Sequence, residues 1–213
     1  GLPVTNYVLP PNATIEGEQI AANSNIKTSK DNGDTDTVGV RFKADSRLYT
    51  DCLGTEIDQS KRICTGLATE EICASGTLSA TASYIYNSFG INTNTERNGV
   101  GATIPMLYCY GSLSGVGQVV SQGIEKMQIN YGIDTNFDKV ADQYLTATEI
   151  ENKSLWDRIL SIQVALLVRS RDPFYQDKQR QTYQLLDKSI TTINDNYRRG
   201  VYKAVIRLRN QEG

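Results

Sequence analysis

The chain has 213 residues, of which 39% are hydrophobic, carries a net charge of −2 and contains no histidine. Without an imidazole, Ser-His and His-metal catalysis are excluded, and the slightly negative net charge argues against general polyanion binding. No apolar run approaches the roughly 20 residues that a membrane-spanning helix needs, so we expect a single soluble domain.

The first part of the chain indicates an irregular start followed by β-structure. Residues 1–35 show little periodicity and are predicted to be largely irregular, whereas residues 36–210 are predicted to form a β-rich core. Residues 37–44 are typical of a half-buried strand. The apolar residues that alternate there are Val38, Val40 and Phe42.

Residues 79–111 predict a hairpin of two tyrosine-containing strands. Its turn includes Asn98-Gly99, a dipeptide favoured in tight hairpin turns. The glycine-rich residues 111–117 that follow have no Lys-Ser/Thr pair and open no helix, so they are predicted to be a connection and not a phosphate loop.

Two strands are predicted in the second half. Met127, Ile129 and Tyr131 alternate with polar residues, which predicts a strand with these three inward. Lys126, Gln128 and Asn130 are then predicted to lie outward, facing solvent. Residues 158–170 are almost continuously apolar and predict a central strand buried on both faces.

The rest of the second half gives weaker signals. A short helix or an ordered loop is expected before residue 158, and residues 171–196 form a polar segment of uncertain structure. The chain ends in a strand whose apolar face is predicted to consist of Tyr202, Ala204, Ile206 and Leu208. The fold class is therefore α+β, predominantly antiparallel β with little helix.

Four cysteines predict disulfides: Cys52, Cys64, Cys73 and Cys109. Zinc ligands usually come in pairs two to four residues apart, and this chain has no CxxC spacing. An even number of cysteines in a polar chain is typical of an exported protein. Three connectivities are possible, and we favour a short loop closed by Cys64–Cys73 with a long loop closed by Cys52–Cys109.

The segment after residue 133 has the alternating oxygen ligands of a calcium-binding loop. Positions 1, 3, 5 and 9 of an EF-hand-like loop correspond to Asp134, Asn136, Asp138 and Asp142. However, Lys139 replaces the glycine of the sixth position and Leu145 replaces the glutamate of the twelfth. The pattern leaves two interpretations open, a Ca²⁺ site and a polar turn.

Charge is distributed unevenly, with a net −7 over residues 1–149 and +5 over residues 150–213. One interpretation is a nucleic-acid surface in which bases stack on tyrosines beside arginines. The arginines in question are Arg198, Arg199, Arg207 and Arg209. We favour the alternative that they lie on an ordinary solvated face, so nucleic acid is not an expected partner.

Several segments, taken in order, resemble the PilW-type minor pilins of bacterial type IV pili. They are "DTDTVGVRF", "DCLG", "LYCYG", "GIEKMQINYGIDTN", "SIQVALLVRS" and the closing "YRRGVYKAVIRLRN". The similarity covers about residues 34–210 and is most specific over residues 123–170.

The resemblance implies a pilin-like head with one or two β-sheets, whose hydrophobic N-terminal helix is missing from this sequence. That helix anchors family members in the inner membrane, with the head in the periplasm, before they join the extracellular pilus near its tip. The family pattern has one cysteine in "DCLG" and one in the "LYCYG" strand. This implies a Cys52–Cys109 disulfide and leaves Cys64 and Cys73 for a local bridge.

The implied function is structural, without catalytic activity or a small-molecule substrate. Such a subunit belongs to the priming complex that starts pilus assembly, and its partners are other minor pilins, the major pilin and a tip adhesin. Twitching motility, adhesion and DNA uptake follow from having a pilus. Two alternatives remain, a J-type minor pseudopilin of type II secretion and an adhesin or DNA-binding pilin.

Overall fold

The computed structural model describes residues 35–43, 50–56, 84–111 and 117–208. The expectations for residues 1–34 and for Cys64, Cys73 and Arg209 lie outside these described residues.

The described residues form two four-stranded sheets and a separate hairpin, all antiparallel. The first sheet has the order β1 (Val38–Lys43), β2 (Tyr84–Arg97), β3 (Thr103–Gly111) and β4 (Gly117–Gln122). The second has the order β10 (Arg199–Arg207), β7 (Ile159–Arg169), β5 (Ile124–Ile133) and β6 (Gln143–Leu145). The hairpin consists of β8 (Thr182–Leu185) and β9 (Lys188–Thr191). The predicted β-dominated α+β class is confirmed.

The main core lies between the two sheets and is built on β5. Met127, Ile129 and Tyr131 are buried, as their alternation predicted, and they pack with Val38 and Val40 from β1 of the first sheet. Burial of one apolar side chain stabilises the fold by about 1.5–3 kcal/mol, so this shared cluster joins the sheets strongly.

β7 is the central strand that its continuous apolar sequence predicted. Ile162 belongs to the core between the sheets, whereas Ala165 and Leu167 are buried on the opposite face. A strand with a pairing partner on each side and apolar contacts on both faces needs this unbroken apolar sequence.

The second face of β5 is covered by the hairpin, so the prediction that Gln128 and Asn130 face solvent is wrong. Gln128 is only 1% exposed. Leu185 and Ile190 of the hairpin form the apolar cluster on this face of the sheet. The side-chain amide of Asn130 donates to the Asp187 carboxylate in the hairpin turn (3.2 Å). This holds in the orientation in which the oxygen and the nitrogen of that amide both have suitable partners.

β10 lies at the edge of the second sheet, and most of its predicted core face is exposed. Tyr202 pairs with Leu166 and Ile206 pairs with Ile162, so both lie on the inner side of the sheet. Nevertheless Tyr202 and Ile206 are exposed, because no described residue of the first sheet covers them; only Leu208 is buried as predicted.

The turn between β2 and β3 contains Asn98-Gly99, as predicted, and runs from residue 98 to residue 102. The Asn98 amide donates to the Ala102 carbonyl (2.9 Å), and the left-handed residue is Gly101 (φ 78°) and not Gly99. The Asn98 side-chain oxygen accepts hydrogen bonds from the Val100 and Ala102 amides. Asn98 therefore organises the loop through its side chain.

Gly123 joins the two sheets where β4 leads into β5. Its N–H donates to the Pro105 carbonyl of β3 (2.7 Å), and its carbonyl accepts from the Arg169 amide of β7 (2.8 Å). The residue has φ +83°, and an added Cβ would lie 2.8 Å from the Arg169 carbonyl oxygen. Glycine meets both requirements, since it tolerates positive φ and has no Cβ.

A short helix, α1 (Ala147–Lys153), and a 3₁₀ turn (Trp156–Arg158) connect β6 to β7. The helix begins with a capping box in which the side chains of Thr146 and Glu149 each accept a hydrogen bond from the other's backbone amide. Within the described ranges, the structure has no helix with the length and apolar character to span a membrane.

Candidate functional site

A disulfide joins Cys52 to Cys109, the pairing that the family resemblance implied. Cys109 is buried in β3, and Cys52 lies in the loop of residues 50–56, with the two Cα atoms 6.5 Å apart. The bond fixes this loop to the first sheet across a sequence separation of 57 residues.

Asp51 shapes the loop that carries Cys52. Its carboxylate accepts hydrogen bonds from the amides of Leu53 (2.9 Å) and Thr55 (3.0 Å). The Cys52 amide donates to the side chain of Asn87 on β2 (3.0 Å). The "DCLG" motif is therefore a closed turn docked on the first sheet, and its acidic residue has a structural role.

In the acidic loop of residues 134–142, the Asp134 carboxylate is occupied by the loop's own backbone. It accepts hydrogen bonds from the amides of Asn136 (3.1 Å), Phe137 (2.5 Å) and Lys139 (2.8 Å). Phe137 and Lys139 both adopt φ of 67°, a conformation that non-glycine residues rarely take. The hydrogen bonds to Asp134 hold these two residues in place.

The other predicted calcium ligands are also engaged within the loop. Asp142 accepts from the amide (2.7 Å) and the hydroxyl (2.6 Å) of Thr135, and these bonds lower the pKa of Asp142 below its ordinary value. Asp138 accepts from the Val140 amide (2.8 Å) and from the side-chain amide of Asn136 (3.1 Å).

The geometry does not support the calcium interpretation. Among the described residues, no three acidic or cysteine side chains converge as a metal-binding group. A calcium ion takes six to eight oxygen ligands around one point, whereas these carboxylates each close a separate turn. The loop is a hydrogen-bonded polar turn that holds Phe137 at the surface, 72% exposed, with the Arg158 guanidinium 4.2 Å from its ring centroid.

Arg199 occupies a buried ion-pair cluster, so the expectation that it lies on a solvated face is wrong. Its side chain is 4% exposed and donates to Glu125 (2.6 and 2.9 Å) and to Asp195 (2.7 Å twice). Burial alone would raise the pKa of Asp195, but the hydrogen bonds and charge of Arg199 lower it overall. Burial alone would lower the pKa of Arg199, but the carboxylates of Asp195 and Glu125 raise it overall.

The same cluster connects parts of the fold that are distant in sequence. Arg169 lies 3.5 Å from Glu125 and stacks on the ring of Tyr197 (4.1 Å to the centroid). The Tyr197 hydroxyl accepts from the side chain of Asn98 in the β2–β3 turn (3.0 Å). Sequence reasoning missed this cluster because Glu125 and Arg199 are 74 residues apart and no local pattern links them.

The other two candidate arginines in the described part of the chain, Arg198 and Arg207, lie at opposite ends of β10. Arg198 is exposed and stacks on Phe174 (5.4 Å to the centroid), at the start of β10. Arg207 is exposed at the other end of the strand, about 30 Å away for nine residues of extended chain. The described residues therefore give no contiguous basic groove for a nucleic-acid strand.

The fold and these clusters define a disulfide-linked, two-sheet β protein whose polar side chains hold its loops and turns in place. Residues 89–210 match the family model of the type IV pilus-assembly protein W, PilW. Because the match spans more than half of the chain, the protein belongs to this family. Neither the curated proteins nor the solved structures gave a significant match. Membership assigns the chain to type IV pilus assembly at the cell envelope.

Proposed function

We propose that this chain is the head of a minor pilin, a structural subunit of the complex that primes type IV pilus assembly and stays near the pilus tip. The observation that supports this most directly is the family match, which begins in β2 and continues through β10. The two sheets, the Cys52–Cys109 disulfide and the surface loops suit a rigid head that acts by contact with other subunits.

We further propose that the protein acts by binding and not by catalysis. The chain has no histidine, Arg199 is paired with Glu125 and Asp195, and the buried carboxylates of Asp51 and Asp134 accept hydrogen bonds from backbone amides. Its partners are then other minor pilins, the major pilin and a tip adhesin, and the complete protein is anchored in the inner membrane through an N-terminal helix. The oxidising periplasm suits the disulfide.

A gene deletion tests the proposal. We expect surface pili, counted by electron microscopy and by immunoblot of sheared material, to be lost while the major prepilin is still made. Expression of the full-length protein from a plasmid is expected to restore them, and the tagged protein is expected to co-purify with the other minor pilins. Normal pili in the deletion strain would overturn the proposal, and loss of type II secretion instead would support the pseudopilin alternative.

A further inference from the structure

β10 presents an open strand edge on the second sheet. Its nine residues pair with β7 without a register shift, and along its other side no strand of the described part of the chain is paired. The Leu208 amide donates to Leu160, and the Arg198 carbonyl accepts from Ser170, so the even-numbered positions hydrogen-bond to β7. The backbone groups that point away from the sheet are those of Val201, Lys203 and Val205.

This edge carries the charged side chains of Lys203 and Arg207, but it lacks three other features that usually protect sheet edges. Natural edge strands are commonly short, bulged or interrupted by proline. In the same structure β6 has three residues, and β4 has six residues and a register shift against β3. β10 is longer and regular and contains no proline. A strand of this kind is a template for pairing with another extended segment.

Large apolar side chains are exposed along the same strand. Tyr202 (65% exposed) and Ile206 (50%) lie on the inner face of the sheet, and Val205 (61%) lies on the outer face. Their neighbours Val164 and Leu166 on β7 are half-buried. A strand added beside β10 would place its own side chains against these residues and remove them from water.

The charges on β10 indicate which segment would bind. Lys203 and Arg207 are exposed on the same face as Val205, and the strand contains no acidic residue. In a fully overlapping antiparallel pair of two copies, Lys203 would lie directly opposite the Lys203 of the second copy. Like charges directly opposite are destabilising, so a second copy is disfavoured. A segment with carboxylates four residues apart would instead pair with both cations.

We propose that β10 is a docking edge for an extended acidic and apolar segment of a partner protein, which extends the four-stranded second sheet by one strand. The identity of the partner as another pilus subunit rests on the proposed function. The docking chemistry itself rests on the open edge, the exposed apolar residues and the two cations.

The first test uses two synthetic peptides, TVEVTVEVT and its basic counterpart TVKVTVKVT, with the isotope-labelled chain. We expect the acidic peptide to bind saturably and to slow amide hydrogen exchange at Val201, Lys203 and Val205. The basic peptide should do neither. Equal binding of both peptides, or unchanged exchange at these three amides, would overturn the proposal. Protection of the same amides in the free chain would also overturn it, because the edge would then be covered by the protein itself.

A proline variant supplies the second test. Because the Val205 N–H points away from β7, Val205→Pro removes a hydrogen-bond donor from the open edge without breaking a bond to β7. We expect Val205→Pro to weaken binding of the acidic peptide by at least about tenfold relative to the matched control Val205→Thr, which keeps the N–H and a side chain of nearly the same shape. Equal affinity of the two variants, with equal thermal unfolding midpoints, would contradict strand addition.

The same variants separate this inference from the proposed function. If the proposed function is right and the docking edge is wrong, a deletion strain that expresses full-length Val205→Pro regains normal pili. If the edge is right, that strain has fewer pili than one expressing Val205→Thr. If the proposed function is wrong, the deletion strain has normal pili before either variant is introduced, and the peptide experiments still decide on the edge.

Discussion

Arg199 is the single side chain whose loss we expect to lower the free energy of unfolding most clearly. Its removal would leave Glu125 and Asp195 without the cation that they share in a nearly buried cluster. Breaking a buried ion pair by removing one partner costs about 3–5 kcal/mol. We therefore expect Arg199→Met to lose about that amount, measured by urea unfolding.

The neighbouring Arg198 provides the matched control for this variant. It is exposed and contacts the exposed ring of Phe174. A surface substitution of this kind changes stability by about 0.5 kcal/mol or less, so Arg198→Met should unfold almost as the unchanged chain does. Equal losses for the two variants would contradict the assignment of a structural role to Arg199 alone.

Asp195 should make stability depend on acidic pH. The hydrogen bonds from Arg199 lower its folded-state pKa, and a carboxyl group with a lowered pKa stabilises the fold above its unfolded pKa, near 3.9. This contribution is lost as the pH falls through the folded-state value. We expect the free energy of unfolding to fall more steeply below about pH 4 in the unchanged chain than in Asp195→Asn. Parallel curves for the two proteins would show that Asp195 does not carry this dependence.

The acidic loop should not respond to calcium. Each of its carboxylates already accepts hydrogen bonds within the loop, and the three carboxylates do not converge. Six to eight oxygen ligands surround a calcium ion, so these side chains would have to move together before they could share one. We expect the thermal unfolding midpoint to stay the same in excess calcium and in EDTA. A rise that grows with calcium concentration, and is absent with magnesium, would restore the metal-site interpretation.

At the scale of elements, the connection between the sheets depends on Gly123. Alanine there would have to adopt positive φ and would bring its Cβ within 2.8 Å of the Arg169 carbonyl oxygen. Strain of this kind costs about 1–3 kcal/mol. Gly99→Ala is the control, because it lies in the β2–β3 loop with open space around its Cβ position and without positive φ. We expect only Gly123→Ala to lower the urea midpoint, and equal midpoints would remove Gly123 from this role.

The elements that the sequence predicted well are those in which side-chain periodicity and burial agree. Met127, Ile129 and Tyr131 alternate because one face of β5 meets the first sheet. The hairpin of β8 and β9 was missed because few apolar residues anchor it in a polar segment. β4 was missed because Val119 and Val120 are adjacent and both exposed, so no alternation marks the strand.

At the scale of the whole molecule, the features that could not be predicted depend on contacts between residues that are distant in sequence. Two examples are the ion pair between Glu125 and Arg199 and the burial of Gln128, since both depend on how separate elements pack. A local pattern gives the apolar face of a strand, but it does not give the number of strands beside it. The sequence therefore predicted the correct side of the sheet for Tyr202. It wrongly predicted that Tyr202 is buried in the core, because β10 lies at the edge of the sheet.

The Cys52–Cys109 disulfide should be the strongest long-range constraint on the whole chain. It closes a loop across 57 residues, which corresponds to about 4 kcal/mol in the chain-entropy account of disulfides. The test variant is Cys52→Ala with Cys109→Ala, because Cys109 is fully buried and alanine adds no unsatisfied hydroxyl group there. We expect this variant to lose about 4 kcal/mol in urea unfolding, and a larger denaturant slope because its unfolded chain is less constrained.

Two comparisons separate the loss of the long loop from the loss of side-chain volume. Adding a reductant to the variant with Cys64→Ala and Cys73→Ala opens only the Cys52–Cys109 loop while both of its sulfur atoms remain, and most of the destabilisation should persist. Cys64→Ala with Cys73→Ala should cost less, since the loop that a Cys64–Cys73 bridge would close is shorter and constrains the unfolded chain less. If the reduced chain unfolds at the same urea concentration as the oxidised chain, the disulfide is not the constraint that holds the 50–56 loop to β3.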